Sequence, residues 1–127
     1  KIVVCDLSPE WIQETLDLCK DASGEAIGCV ADVRDIQSLK AMVATTVQKW
    51  GRVDCLVNNA GIVADAQMKN MSEDQFDRVI GINLKGVFNC TKAVVDIMLA
   101  QQSGVILNAS SIVGLHGNFG QTNYAAY

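Results

Sequence analysis

Short apolar segments alternate with longer segments of helical periodicity, and this alternation limits the fold more than any other feature of the sequence. The apolar segments predict β-strands at residues 2–5, 26–31, 53–57 and 105–109. Parallel strands joined by helices form a sheet that is covered by helices on both faces. The sequence therefore predicts an α/β fold, a doubly wound parallel sheet in three α/β/α layers.

Three helices are predicted between these strands. The first begins with Ser8 as its cap and Pro9 at its first position, where a missing N–H donor costs nothing. The second ends near Gly51, and the third and longest covers residues 72–101. The pattern S-E-D-Q at the start of the third helix is typical of a capping box.

Polar residues or glycine follow every predicted strand. They are Asp6, Asp32, the segment N-N-A-G at 58–61, and Ser110 with Ser111. A doubly wound sheet binds its ligand at the carboxyl ends of its strands. We therefore expect the functional site at this edge of the sheet.

Composition argues against several classes of partner. The net charge is −4 with ten dispersed basic residues, which is unlike the clustered Lys/Arg surface that binds nucleic acid or anionic membranes. No apolar run reaches the roughly 18 residues of a membrane span. The five cysteines include no C-x-x-C pair, and no ligand cluster indicates a metal. We expect a reduced, cytoplasmic protein without a metal site.

Four separate motifs resemble those of the short-chain dehydrogenase/reductase family. They are N-N-A-G at 58–61, Asn83 in I-N-L-K-G, Ser111 thirteen residues before a tyrosine, and that tyrosine, Tyr124, in N-Y-A-A. The resemblance extends over essentially the whole chain. Within the family, the run G-N-x-G-Q-x-N-Y-A-A is most similar to bacterial 3-oxoacyl-[acyl-carrier-protein] reductases.

The resemblance implies a Rossmann-like fold and an NAD(P)-dependent oxidoreductase that interconverts a ketone and a secondary alcohol by hydride transfer. Its substrate would be a small carbonyl compound or alcohol, including an acyl thioester. Tyr124 would be the catalytic acid and Ser111 would hydrogen-bond the same substrate oxygen, while Ser110 would be supporting structure. Asn83, a poor helix former inside a helix, would mark a kink where its amide holds a proton-relaying water.

The same resemblance implies a dinucleotide site. Its expected contacts are Asp6, Asp32, Val33, Asn59, Ala60, Gly61 and Tyr124. A carboxylate at Asp6 would accept hydrogen bonds from the adenosine ribose, which favours NAD(H) and leaves NADP(H) possible, since fatty-acid reductases usually take NADPH. Local roles compete with these assignments, because aspartates often stabilise turns at helix entries.

Two features of the family pattern would lie outside this chain. They are a first strand with a glycine-rich turn, placed between the strands at 2–5 and 53–57, and a lysine directly after Tyr127. Residues 1–127 are therefore expected to be the central part of a single Rossmann-fold dehydrogenase domain, with an incomplete sheet that does not fold alone. Tyr127 also departs from the small residue usual at its position.

Two further expectations concern activity and assembly. A non-catalytic dinucleotide-binding or scaffold protein of the same fold is the alternative to an enzyme, and the residue after Tyr127 would discriminate them. The predicted helix at 72–101 has apolar residues on more than one face. In the family this helix usually pairs across a homotetramer interface, so we expect the same here.

Overall fold

The computed structural model describes all residues, Lys1–Tyr127, and shows four β-strands that alternate with helices. The strands are β1 (Ile2–Asp6), β2 (Ala26–Val30), β3 (Cys55–Asn58) and β4 (Val105–Asn108). The helices are α1 (Pro9–Leu18), α2 (Ile36–Trp50), α3 (Glu73–Val79), α4 (Lys85–Gln101), α5 (Val113–His116) and α6 (Thr122–Ala125). The predicted α/β class and the order of strands and long helices are confirmed.

The strands form two separate parallel pairs. In the first pair β1 lies beside β2, with Asp6 opposite Val30, and in the second β3 lies beside β4, with Asn58 opposite Asn108. No strand joins β1 to β3. Between them lies a cavity of about 680 Å³, lined mainly by apolar side chains of β1, β3, α2 and α4. The structure thus has an open slot where the sequence predicts that another strand belongs.

Helices α2 and α4 cover one face of β3 and β4. Leu39 of α2 is buried in one group with Ala31 and with Cys90 of α4. Val43 of α2 is buried in a second group with Val94 and Met98 of α4. Leu56 of β3 packs against both groups. This shared core fixes where α4 and its preceding turns lie relative to the strand ends.

The helix ends follow the predicted caps. The Ser8 hydroxyl accepts a hydrogen bond from the Trp11 N–H at 3.3 Å, and Gly51 ends α2 in the left-handed conformation at φ 80°. At the start of α3, Ser72 and Gln75 form the reciprocal capping box. Helix α2 is capped by Asp35, whose carboxylate accepts from the Gln37 N–H at 2.9 Å.

The long predicted helix is interrupted by a wider turn. Residues Ile80–Leu84, between α3 and α4, form a π-helix in which the Lys85 N–H donates to the Ile80 carbonyl. Asn83 lies inside this turn and is buried. A single π turn within an α-helix interrupts the regular hydrogen bonds and is frequent at functional sites. The irregularity predicted from Asn83 is therefore confirmed as a π turn.

Three short helices were not predicted. They are α5, α6 and a 3₁₀ turn at Met68–Asn70. Each contains three or four residues, which is too few for a 3.6-residue hydrophobic period to show in the sequence. None of the helices in the structure is both long enough and apolar enough to cross a membrane.

Candidate active site

Asparagine side chains hold together the carboxyl edge of the strands. The buried polar residues of the chain are all asparagines: Asn58, Asn83, Asn89 and Asn123. Each donates its side-chain amide to another segment, and no buried side-chain nitrogen or oxygen lacks a partner. A buried amide that fills its hydrogen bonds fixes the geometry of the segments it joins.

Asn58 joins the ends of β3 and β4. Its Nδ2 donates to Asn108 Oδ1 at 2.9 Å, across the strand pair. Asn58 therefore has a structural role, as a cross-link between the two strands. The next three residues, Asn59, Ala60 and Gly61, leave the strand and are exposed at its carboxyl end.

Asn83 holds the loop that follows β3. Its Oδ1 accepts from the Ile62 N–H at 2.9 Å, and its Nδ2 donates to the Ile62 carbonyl at 3.0 Å. The π turn thus directs the amide at the loop backbone, and Gly61 lies beside it. The further role of this amide, holding a proton-relaying water, stays a prediction.

Asp6 combines a local role with a free acceptor. Its Oδ1 accepts from the Ser8 N–H at 2.9 Å, which stabilises the turn into α1. Its second carboxylate oxygen makes no hydrogen bond within the chain. Asp6 is half-buried at the carboxyl end of β1, so one oxygen is left for an external donor.

Asp32 is paired with Arg34, which the sequence analysis missed. Arg34 Nη2 lies 2.7 Å from Oδ2, its Nε lies 3.1 Å from each carboxylate oxygen, and its backbone N–H donates to Oδ1 at 2.8 Å. The hydrogen bonds from Arg34 hold the pKa of Asp32 below its ordinary value. The carboxylate is therefore ionised, but its acceptor positions are already occupied by the arginine.

Val33, the next residue, is held by helix α4. Its carbonyl accepts from Asn89 Nδ2 at 2.9 Å. A Cβ at Gly86 would lie 2.8 Å from Val33 Cγ2, so glycine there permits the close approach of the helix. Asn89 was not predicted, although the argument that identified Asn83, an asparagine inside a helix, applies to it equally.

Tyr124 lies on α6 beside a second tyrosine. The rings of Tyr124 and Tyr127 meet edge to face, with centroids 4.8 Å apart. Burial, followed by the neighbouring Tyr124, raises the pKa of Tyr127 to about 12, while a hydrogen bond with Asn83 opposes that rise. Tyr124 and Asn83, which are distant in sequence, therefore both lie next to the Tyr127 side chain.

Ser111 lies at the entrance to α5. Its hydroxyl accepts from the Val113 N–H at 3.2 Å and the residue is half-buried. The structure shows no hydrogen bond between Ser111 and Tyr124. Ser111 precedes α5 and Tyr124 lies on α6, and these two short helices contact each other.

Comparison with known proteins identifies related chains. The family model described as short chain dehydrogenase matches residues 1–126. The 3-oxoacyl-[acyl-carrier-protein] reductase of Thermotoga maritima is 46% identical over 125 residues, covering 98% of this chain and 51% of the relative. Proteins of the same name from Staphylococcus aureus and Staphylococcus epidermidis are 43% and 48% identical over 119 residues, covering 94% of this chain and 48% and 49% of the relatives. The chain thus spans about half the length of these curated relatives.

Proposed function

Because the chain belongs to the short-chain dehydrogenase/reductase family, we propose that the complete protein is an oxidoreductase that transfers hydride between a nicotinamide dinucleotide and a carbonyl or alcohol substrate. The observation that carries this proposal is the position of Tyr124. Its ring packs edge to face on Tyr127, and the Asn83 side chain, which lies next to both Tyr127 and Gly61, connects the two tyrosines to the loop after β3. The names of the relatives favour a 3-oxoacyl thioester as the substrate.

In this proposal two hydroxyl groups serve one substrate oxygen. As hydride reaches the carbonyl carbon, negative charge develops on the oxygen, which needs a proton and a hydrogen bond. The Tyr124 phenol supplies the proton and the Ser111 hydroxyl supplies the hydrogen bond. The Asn83 amide holds the loop at Ile62 and leaves its π turn next to the tyrosines. The dinucleotide, when bound, supplies or accepts the hydride.

The residues at the strand ends fit the adenosine part of a dinucleotide. Asp6 has one carboxylate oxygen without a partner, which suits ribose hydroxyls and repels a 2′-phosphate. We infer NAD(H) rather than NADP(H), with Asp32 and Val33 at the adenine and Asn59, Ala60, Gly61 and Tyr124 along the rest of the cofactor. Measured affinities of the complete protein test this preference, and tighter binding of NADP(H) would overturn it.

The open slot supports the proposed domain organisation. We infer that residues 1–127 are the central part of one Rossmann-fold domain, in which a further parallel strand lies between β1 and β3. Val30 of β2, Val57 of β3 and Leu107 of β4 are 58%, 61% and 52% exposed, which is unusual for apolar strand residues. Further segments of the complete domain would cover them.

The outer surface of α4 supports the proposed assembly. Leu84, at the end of the π turn, is 48% exposed, and Phe88 and Leu99 of α4 are 64% and 68% exposed. The spacing of four and eleven residues places all three on one side of the helix. A homotetramer that pairs through the segment 72–101 would bury them.

The decisive experiment replaces Tyr124 by phenylalanine in the complete protein. Loss of the phenol should lower kcat by about 10²- to 10⁴-fold, the usual contribution of general acid catalysis, while binding of the dinucleotide stays close to that of the wild type. Turnover and cofactor fluorescence titrations measure the two effects. Retained turnover would remove Tyr124 from the mechanism. Dinucleotide binding by a wild-type protein without any carbonyl reduction would favour the non-catalytic alternative.

A further inference from the structure

We propose that Asn123 positions Tyr124 for proton transfer, by fastening helix α6 to the loop after β3. This inference rests on the proposed role of Tyr124. Asn123 precedes Tyr124 in the chain and is 0% exposed, so its side chain acts within the protein and not on the substrate.

The Asn123 side chain joins three segments. Its Nδ2 donates to the Ala64 carbonyl at 2.9 Å and to the Gln75 carbonyl at 3.0 Å. Its Oδ1 accepts from the backbone N–H of Tyr124 at 2.9 Å. One amide therefore links the loop after β3 and helix α3 directly to the backbone of the candidate acid.

Two neighbouring contacts strengthen the same connection. The Ala66 N–H donates to the Gly120 carbonyl at 2.9 Å, and Gln121 Nε2 donates to both Asp65 carboxylate oxygens at 3.1 Å. Residues 64–66 thus run beside residues 120–123 with a contact at each step. We call these two segments and their contacts the loop clamp.

The loop clamp also connects Tyr124 to residues 59–61, the proposed dinucleotide contacts at the carboxyl end of β3. The same loop is held at Ile62 by Asn83, directly after the exposed segment 59–61. The two asparagines therefore anchor the same loop at Ile62 and at Ala64. Because a misplacement of about 1 Å in a catalytic group can cost about 10²-fold in rate, loss of one anchor should reduce turnover without removing any reacting group.

The amide is the group that this position requires. Two backbone carbonyls need two donors and one backbone N–H needs an acceptor, and only a carboxamide supplies all three from a single planar group of this size. An ionised carboxylate of the same shape would place one acceptor oxygen, in the position of Nδ2, against both carbonyls. A protonated carboxyl group would restore one donor and keep one acceptor.

The test is Asn123→Asp in the complete protein. At pH 8 we expect kcat per folded molecule to fall about 10- to 100-fold, with little change in KM for the dinucleotide. As the pH falls and the new carboxyl group takes up a proton, the ratio of variant to wild-type kcat should rise. A purely structural role would lower thermal stability but leave this ratio near one at every pH.

A second variant avoids the buried position. Gln121→Glu sets a carboxylate against the exposed Asp65, and it should lower kcat by about 2- to 5-fold, as expected for an exposed charge interaction. Adding Asp65→Asn reverses the polarity of the pair and should restore kcat. Asn70→Asp is the matched control, since Asn70 is exposed and its side chain makes no hydrogen bond within the chain.

The outcomes separate this inference from the proposed function. If the ratio of Asn123→Asp kcat to wild-type kcat stays near one at every pH, the positioning role of Asn123 is overturned. If that variant does not fold, an unchanged kcat in Gln121→Glu overturns it, and a loss that Asp65→Asn restores supports it. If instead Tyr124→Phe retains turnover, the proposed function itself has failed.

Discussion

At the scale of single residues, the candidate site depends on how amides and carboxylates use their hydrogen bonds. Asn83 and Asn123 both use their side-chain amides to hydrogen-bond the backbone of the loop after β3. These two motif residues therefore hold the loop in position. Asp6 and Asp32 differ in how many of their carboxylate oxygens remain free of hydrogen bonds within the chain. Asp6 keeps one free oxygen, whereas Arg34 occupies both oxygens of Asp32.

The Asp32–Arg34 pair leads to a prediction for nucleotide binding. If Asp32 contacts adenine as proposed, Arg34→Ala in the complete protein should strengthen dinucleotide binding by about 2- to 5-fold, because an exposed ion pair of modest strength no longer competes with the adenine amine for the carboxylate. The Arg34 backbone N–H would still orient Asp32. Isothermal titration measures the affinity, with Asp32→Asn as the variant expected to weaken binding. Weaker binding by Arg34→Ala would mean that the guanidinium itself contacts the nucleotide.

At the scale of elements, glycines decide how closely helices approach strands. Ile12 of α1 is buried over Gly28 of β2, where an added Cβ would overlap Ile12 Cγ2. Helix α4 makes a similar approach to Val33 at Gly86. These contacts place α1 against β2, and α4 against Val33 in the segment after β2 that carries Asp32.

The contact at Gly28 gives a prediction for stability. Gly28→Ala should lower the free energy of unfolding of the complete protein by about 1–3 kcal/mol, since the new methyl group must displace Ile12 in a packed contact. Gly24→Ala is the control, because no atom lies within 4 Å of a Cβ there. Urea denaturation measures both. Equal midpoints for the two variants would show that α1 moves away from β2 at little cost.

For the molecule as a whole, the main structural feature is a sheet divided into two separate strand pairs. Only 13 of the 127 residues are buried, and the facing edges of β1 and β3 have no strand between them. Strand edges with unpaired backbone groups cannot be buried without a partner. In the proposed domain, the two strand pairs therefore depend on a further strand between β1 and β3 to become one sheet.

This dependence predicts the behaviour of the isolated chain. The 127-residue polypeptide should show no cooperative thermal transition, whereas the complete protein should show one, because an incomplete sheet leaves the core too small to offset chain entropy. Circular dichroism melting and amide hydrogen exchange of both molecules test this. A sigmoidal melt of the isolated chain, with strongly protected amides in β1 and β3, would contradict it.

Local signals made several features predictable from the sequence alone. The Ser8 cap, the end of α2 at Gly51 and the capping box at Ser72 involve residues close together in the chain, so short motifs specify them. The irregularity at Asn83 was visible for the same reason, because asparagine is a poor helix former. The apolar strand segments and the helices between them likewise specified the fold class.

Hydrogen bonds between segments that are distant in the chain could not be predicted from short motifs. Asn123 bonds to Ala64 and Gln75, and Asn89 bonds to Val33, across separations of 48 to 59 residues. Gln121 and Asp65 are 56 residues apart. A hydrogen bond depends on distance and direction in space, and no spacing in a single sequence encodes which distant carbonyl an amide will meet.

Local composition and periodicity in the sequence specify the alternation of strands and helices, the caps, and the hydroxyl and carboxylate groups available at the strand ends. How those groups are used depends on the folded arrangement. It places the Asn83 and Asn123 amides on one loop, pairs Asp32 with Arg34, and separates β1 from β3 by an open slot. These outcomes depend on which segments pack together, and packing is a property of the folded chain as a whole.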